Sequence, residues 1–237
     1  MNARSVHLTL RLTAALELLN GSTCVADIGT DHGRLAAALL QQGSSERVIA
    51  SDVSEPSLRK AEALLSYIGL SDRVSVRCGD GLSVLHPGEC DAVALLGMGG
   101  TLMCRLLDAC DVPLMGANAV VLQPMRAQRE IREYLYRHCF HITDDRIVRE
   151  GNRLYQVLRA VLKDTVQAWP EHFPQGFFDV GYTAFERKEA NLYALCMQQR
   201  DQHVKRLKTA HNTDGEARLT DRIRALDQIL NELEPEE

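Results

Sequence analysis

Residues 25–33 of the 237-residue chain read VADIGTDHG and bring two carboxylates, a hydroxyl and an imidazole into one turn. An apolar run ends in Asp27, glycines follow at Gly29 and Gly33, and helix-favouring residues begin at Arg34. A strand, tight turn and helix in that order put glycine where the backbone can approach a ligand closely. A dinucleotide fingerprint, G-x-G-x-x-G, would have glycine where Asp31 stands, so that helix amides reach a pyrophosphate. A carboxylate at that point repels a pyrophosphate and attracts a sulfonium or ammonium group. The turn therefore suits S-adenosylmethionine better than a nicotinamide dinucleotide. An ordinary strand-to-helix turn, with Asp31 capping the helix, is the alternative that the local sequence leaves open.

Three further positions bear on the same chemistry. Asp52 closes a second apolar run 23 residues beyond Gly29, near the ~20-residue spacing at which a strand-end acid accepts hydrogen bonds from ribose hydroxyls. Cys78-Gly79-Asp80-Gly81 ends a third run; Asp80 either meets an adenine amino group or belongs to a plain turn. Gly97-Met98-Gly99-Gly100 follows a continuous apolar run. Glycines there either make room for a flat group at the C-terminal edge of a sheet or let a loop pack closely on its neighbour.

The elements that must hold these residues can be read from periodicity. Leu8, Leu12, Ala15, Leu16 and Leu19 recur at helical spacing before Asn20-Gly21, and Arg11 on that helix reads as a surface arginine. Strands are expected at residues 47–51, 73–77, 91–96 and 119–122, the last ended by Gln123-Pro124. Between them lie helices, one capped by Ser54 with Pro56 in its first turn. Arg126, Arg129, Arg132 and Arg137 fall on one predicted helix. Residues 140–150 and 153–162 meet at Gly151-Asn152 as an antiparallel hairpin. The pattern predicts an α/β fold, a seven-stranded, doubly wound sheet.

Residues 165–181, with Trp169, Pro170 and Pro174, read as a packed linker. Phe185, Leu192, Leu195, Cys196, Val204 and Leu207 fit one helix stripe, and Leu219, Ile223, Leu226, Leu230 and Leu233 form a heptad seam. With a turn at residues 211–215, they predict a C-terminal antiparallel helical hairpin of coiled-coil type. The division is a first domain over residues 1–163 and a linker with the hairpin over 164–237.

A hydrophobic content of 45% allows a sizeable core. No apolar run reaches the ~18–20 residues of a membrane span, and the N-terminus lacks a basic-then-apolar signal. A cytoplasmic protein is expected. Seven cysteines without C-x-x-C spacing suggest reduced thiols rather than disulfides or a metal site. The net charge of −5 conceals a basic band: residues 126–163 carry 9 basic and 5 acidic groups, between segments with an acidic excess. That band either serves a polyanion or is a solvated face.

With VADIGTDHG, VIASDVSEPSLRKAEALL, GLSDRVSVRCGDGL, ALLGMGGTLM and VLQP in this order, the sequence resembles the bacterial TrmK family of S-adenosylmethionine-dependent tRNA methyltransferases. These act on N1 of adenine 22. The likeness runs from Arg11 to about Leu162, and DIGTDH with GMGG is its specific part. It implies a Rossmann-like methyltransferase domain with a helical coiled-coil domain, and tRNA as partner. By position, Asp27, Gly29, Thr30 and His32 would line the methionine side of the cofactor, Asp52 its ribose, and Asp80 with Gly81 its adenine. Gly97 and Met98 would complete the cofactor side. Gly99 and Gly100 would border the target base, with Arg11, Gln123, Arg126 and Arg129 toward the RNA. The chain departs from the family's pattern at Met125, where asparagine commonly follows Gln-Pro, and across the linker.

Ring N1 of adenine already offers an in-plane lone pair, so it needs alignment more than deprotonation. Methylation makes the ring cationic, and Asp31 is the candidate carboxylate to stabilise that charge. Two rival readings remain at this stage. One is a methyltransferase of a small molecule or protein, and the other is a non-catalytic RNA-binding protein with a vestigial cofactor pocket.

Overall fold

Apolar residues alternate along the strands between two faces, and each face is covered by helices. The structure, a computed structural model, describes residues 6–109, 114, 116–168, 176–209 and 213–233. Helix α1 (Leu10–Leu19) leads into β1 (Cys24–Ile28), α2 (Arg34–Gln41), β2 (Arg47–Asp52), α3 (Glu55–Tyr67) and β3 (Val74–Cys78). Then come β4 (Ala92–Gly99), α4 (Gly100–Asp108), β5 (Ala119–Arg126), α5 (Gln128–Arg137), β6 (Phe140–Glu150) and β7 (Arg153–Leu162). The sheet order is β3-β2-β1-β4-β5-β7-β6. Neighbouring strands among β1–β5 pair in parallel, and β7 is antiparallel to both β5 and β6.

Val25, Val48, Ala94 and Val121 face a core completed by α1 and α2, whereas Ala26, Ile49, Leu95 and Leu122 face one completed by α4 and α5. Strand order reverses between β1 and β4, and ligands of open α/β sheets lie outside such a switch point. The expected Ser54 cap is present: its hydroxyl accepts the Ser57 N–H at 3.4 Å. Among the described cysteines all are free, and no described helix is long and apolar enough to cross a membrane.

Several expectations are revised. Strand β5 does not stop at Gln123-Pro124 but continues to Arg126, paired with an equally extended β4 as Met98 to Pro124 and Gly99 to Arg126. Proline is tolerated there because the pairing of β5 with β7 covers only Val120–Leu122, so Pro124 lies beyond the ladder on that side. The glycine-rich segment is consequently split: Gly97 to Gly99 belong to the strand and Gly100 opens α4. Arg126 ends β5 rather than sharing a helix with Arg129, Arg132 and Arg137.

Beyond the sheet lie α6 (Phe177–Val180), α7 (Tyr182–Glu186), α8 (Leu192–Leu207) and α9 (Thr213–Leu233). Phe185 sits on α7, not on the α8 stripe, because the chain turns between them. Helices α8 and α9 form the expected hairpin. Its seam is broader than a heptad: Ala225 and Ile229 are buried beside Leu226 and Leu230, and α9 also packs on Gly176 at the start of α6. There a Cβ on Gly176 would lie 2.6 Å from that of Ala225. The hairpin core is finished by Ile147 of β6 and Leu154 of β7. Cys110, Trp169 to Pro174 and His211 lie outside the described residues.

Candidate active site

Every parallel strand from β1 to β4 sends its C-terminal end toward one cavity of about 550 Å³. Asp27, Gly29, Thr30, Asp31 and His32 form its wall at the end of β1. Asp52 closes β2 there, Asp80 and Gly81 follow β3, and Gly97 and Met98 come from β4. Arg11 and Gln123 complete the set of sequence candidates on the wall. Gly99, Gly100, Arg126 and Arg129 are not part of it.

Local backbone geometry explains this convergence. Gly29 has φ +74° and, with Thr30, donates its N–H to the carbonyl of Ser51 at 2.7 and 2.9 Å, which ties the turn to β2. A Cβ on Gly29 would displace the Met98 methyl group, and the positive φ at this position itself favours glycine. Asp31 adopts φ +52°. It does not cap α2, whose N-cap is Gly33. Its N–H instead donates to Asp52 Oδ2 at 3.1 Å, while Asp52 Oδ1 accepts the Ser54 N–H at 2.9 Å. Two amides thus orient the Asp52 carboxylate.

The acids differ in environment. Asp27 is 3% exposed and accepts the Thr30 hydroxyl at 2.7 Å. Burial pushes its pKa up to about 6, against the lowering effect of its hydrogen bonds from Thr30 and the Ala36 backbone, while nearby Asp52 raises it further. Asp31 is open to solvent, its carboxylate 2.6 Å from Nδ1 of His32. His32 Nε2 lies in turn 3.3 Å from the Lys60 ammonium. An acid, an imidazole and an ammonium form a chain along the rim.

Gly97 has φ +74° and no atom near where its Cβ would be, so it is the open point of the wall. Gly100 is the opposite case: a Cβ there would run into the carbonyl of Ala127, so this glycine lets α4 close on the start of α5. Close packing, one of the two meanings offered for the glycine-rich segment, thus applies at Gly100, while Gly97 leaves open space. Arg11 stacks 4.9 Å over the Tyr155 ring and donates through Nη1 to the sulfur of Met125 at 3.6 Å. Gln123, 2% exposed, donates to the same sulfur at 3.5 Å. Met125 therefore supplies an acceptor at the position where the family pattern has an amide.

Some lining residues had no signal in the sequence. Leu102 and Leu106 line the cavity from α4, and Ser51, wholly buried, has a hydroxyl without a partner among the described residues. Leu106 reaches it because a Cβ on Gly81 would occupy its space. A purine on this apolar wall and a ribose between Ser51 and Asp52 suit the shape and the donor set.

The basic band proves heterogeneous. Arg132 is 1% exposed and forks onto Asp145 at 2.7 and 3.1 Å. Arg129 pairs with Glu133 at 2.7 Å and with Asp179 at 3.3 Å, and lies over the Phe178 ring. Arg126 and Arg137 are exposed. The expectation of one cationic helix face is thus replaced by Arg129 and Arg132 held in ion pairs away from solvent, an exposed Arg137 paired with Glu133 at 3.8 Å, and an exposed Arg126.

Comparison with known proteins gives concordant relatives. Residues 8–158 match the family described as "Methyltransferase domain". Over 164 residues, 69% of either chain, the sequence is 33% identical to the tRNA (adenine(22)-N(1))-methyltransferase of Bacillus subtilis. The crystal structure of the B. subtilis M1A22 tRNA methyltransferase TrmK superimposes with a TM-score of 0.85 and 29% identity, covering 95% of this chain and all of that one. The same fold occurs in Mycoplasma capricolum TrmK in complex with S-adenosyl-homocysteine, at TM-score 0.80 and 19% identity over 96% and 99% of the two chains.

Proposed function

Since the chain belongs to the tRNA (adenine-22, N1) methyltransferase family, we propose that it methylates N1 of adenine 22 in tRNA, using S-adenosylmethionine. Residues 1–163 carry the chemistry and residues 164–237 form the hairpin domain. The observation that supports this most directly is the ring of Asp27, Asp31, Asp52 and Asp80 around one cavity at the sheet's switch point. A dinucleotide's pyrophosphate would be repelled by these four carboxylates, whereas a sulfonium is attracted by them.

S-adenosylmethionine supplies a methyl group activated by the positive charge on its sulfur. Asp52, held by two amides, accepts hydrogen bonds from the ribose, and Asp80 with Gly81 faces the adenine of the cofactor. Asp27, Gly29, Thr30 and His32 line the methionine side, with the ionised Asp27 as counter-charge to its cationic groups. Gly97 leaves the wall open where the target base must arrive, and Met98 closes the cofactor side behind it. The base must leave its stack or pair, which costs a few kcal/mol, and Arg11, Gln123 and Gly99 border its route. No residue has to take a proton from N1. Asp31 lies at the rim, where its charge stabilises the developing cationic ring, and His32 holds it in place. A cytoplasmic location follows from the tRNA substrate.

The test is methylation of unmodified tRNA with labelled cofactor. One label per tRNA is expected, lost when adenine 22 is replaced by guanine, with reverse transcription stopping at that position. Label on another nucleotide, or on protein and not tRNA, would overturn the assignment.

A further inference from the structure

A second cavity, of about 480 Å³, opens between the sheet and the hairpin. One wall comes from the end of β5, the start of α5 and β7, the other from α8 and α9. Five arginines line it, Arg126, Arg129, Arg153, Arg206 and Arg222, against two acids, Glu130 and Asp179. Arg129 and Arg222 both pair with Asp179. Arg126, Arg153 and Arg206 are exposed, and their side chains make no hydrogen bond or ion pair with any described residue. Three uncompensated guanidinium groups around one cleft form an anion site, since their planar forks match phosphate oxygens.

The floor adds a second, independent observation. Gln156 is 2% exposed and donates its amide N–H to the Asp179 carbonyl, yet its Oε1 has no partner among the described residues. His203 is 1% exposed, and neither ring nitrogen has a hydrogen-bond partner among the described residues, Nε2 lying 3.9 Å from Asp179 Oδ1. Native structures rarely leave buried polar atoms unsatisfied. A free acceptor and an imidazole beneath a cationic rim correspond to a ribose hydroxyl and its phosphate. Met125 belongs to the walls of both cavities, so this cleft adjoins the methyl-transfer cavity.

We propose that this cleft between sheet and hairpin binds a phosphodiester of the RNA strand whose base enters the neighbouring cavity, joining the two parts of the protein through the substrate. The proposal deepens the tRNA methyltransferase reading and rests on it for the identity of the RNA. It differs from a general cationic surface in requiring residues from both sides of the cleft, Arg153 on β7 and Arg206 on α8.

The experiment compares the full-length protein with two double variants, Arg153→Gln/Arg206→Gln in the cleft and Lys205→Gln/Lys208→Gln, which removes the same charge outside it. Binding of unmodified tRNA is measured by fluorescence anisotropy across a salt series, with calorimetry of S-adenosylmethionine and single-turnover methylation at saturating tRNA. The cleft variant is expected to bind tRNA at least tenfold more weakly and to lose about 1.5 from the salt slope, two phosphate contacts at something under ~0.9 each by analogy with duplex DNA. Its cofactor affinity and saturated rate stay within threefold of the parent, and the control loses much less affinity. If the parent methylates tRNA and the two double variants bind it alike, the cleft is not a phosphate site and the proposal is overturned while the functional reading stands. If the parent methylates no tRNA, that reading fails, and the salt series still decides the cleft: a slope reduced no more than in the lysine control overturns it, and one reduced more than in the control upholds it. Micromolar binding of ATP lost in the cleft variant, with RNA binding intact, would assign the cleft to a free nucleotide and overturn the proposal.

Discussion

Replacing Asp27 by asparagine separates what this carboxylate does for the fold from what it does for the ligand. Burial raises its pKa from 3.8 to about 6. A group whose folded-state pKa is raised contributes stability that is complete below its unfolded pKa and is lost as pH rises through the folded one. For Asp27 the loss therefore accrues between about pH 3.8 and pH 6. Two pKa units at ~1.4 kcal/mol each amount to roughly 3 kcal/mol of lost stability above pH 7. Asparagine has nothing to ionise, and its carbonyl can still accept the Thr30 hydroxyl that Asp27 accepts at 2.7 Å. Asp27→Asn should match the parent in urea unfolding near pH 4 and exceed it by up to ~3 kcal/mol at pH 8. In thermal unfolding ~2–4 °C accompanies each kcal/mol for a chain of this size. Cofactor binding should move the other way. The parent's affinity for S-adenosylmethionine should fall about tenfold per pH unit below pH 6, where Asp27 holds its proton, and level off above. The variant should bind weakly and without that slope. Equal stabilisation at pH 4 and pH 8, or a parent affinity flat from pH 5 to pH 8, would refute the assignment of a buried, titrating counter-charge.

Three other substitutions probe neighbouring roles. Asp52→Ala should weaken cofactor binding by at least ~1.5 kcal/mol, the scale of a hydrogen bond to a charged acceptor; an unchanged dissociation constant in calorimetry removes Asp52 from the ribose site. Asp31→Asn should leave cofactor affinity within a few-fold and slow single-turnover methyl transfer at saturating tRNA, and equal losses in both would make Asp31 a cofactor ligand instead. Gly100→Ala places a Cβ against the Ala127 carbonyl and should lower stability by ~1–3 kcal/mol as an overpacked contact, visible as a drop in melting temperature, whereas an unchanged melting temperature would mean that α4 and α5 can separate freely.

Regular patterns were the part of this structure legible in the sequence. The hairpin at residues 140–150 and 153–162 coincides with β6 and β7 because two strand-favouring runs meet at a Gly-Asn turn. Most cavity residues could be named because each acid or glycine ends a strand, and parallel strands bring their ends together whatever their separation in the chain. What escaped was set by neighbours. Pro124 looks like a stop until the withdrawal of β7 from that level of the sheet is known. Arg132 reads like any other helix arginine, and only the position of Asp145 on β6 makes it a core residue. Gln156 and His203 carry no motif, and their interest arises from buried polar atoms that find no hydrogen-bond partner among the described residues.

The way Ile147 and Leu154 finish the hairpin core bears on how the protein is made. Strand β6 is one of the two outer strands of the sheet, and part of what covers it, Phe177 and Arg187, whose guanidinium reaches the Thr143 carbonyl at 2.9 Å, belongs to the last third of the chain. A ribosome adding ~5–20 residues per second needs about 4–14 s to pass from the end of β7 to the end of α9, which completes the hairpin core. For that interval the nascent sheet carries a bare apolar patch beside an unpaired edge, the arrangement most inclined to pair with other chains. Hold-up of translation after β7 would lengthen that exposure, and chaperone demand during synthesis would rise with it.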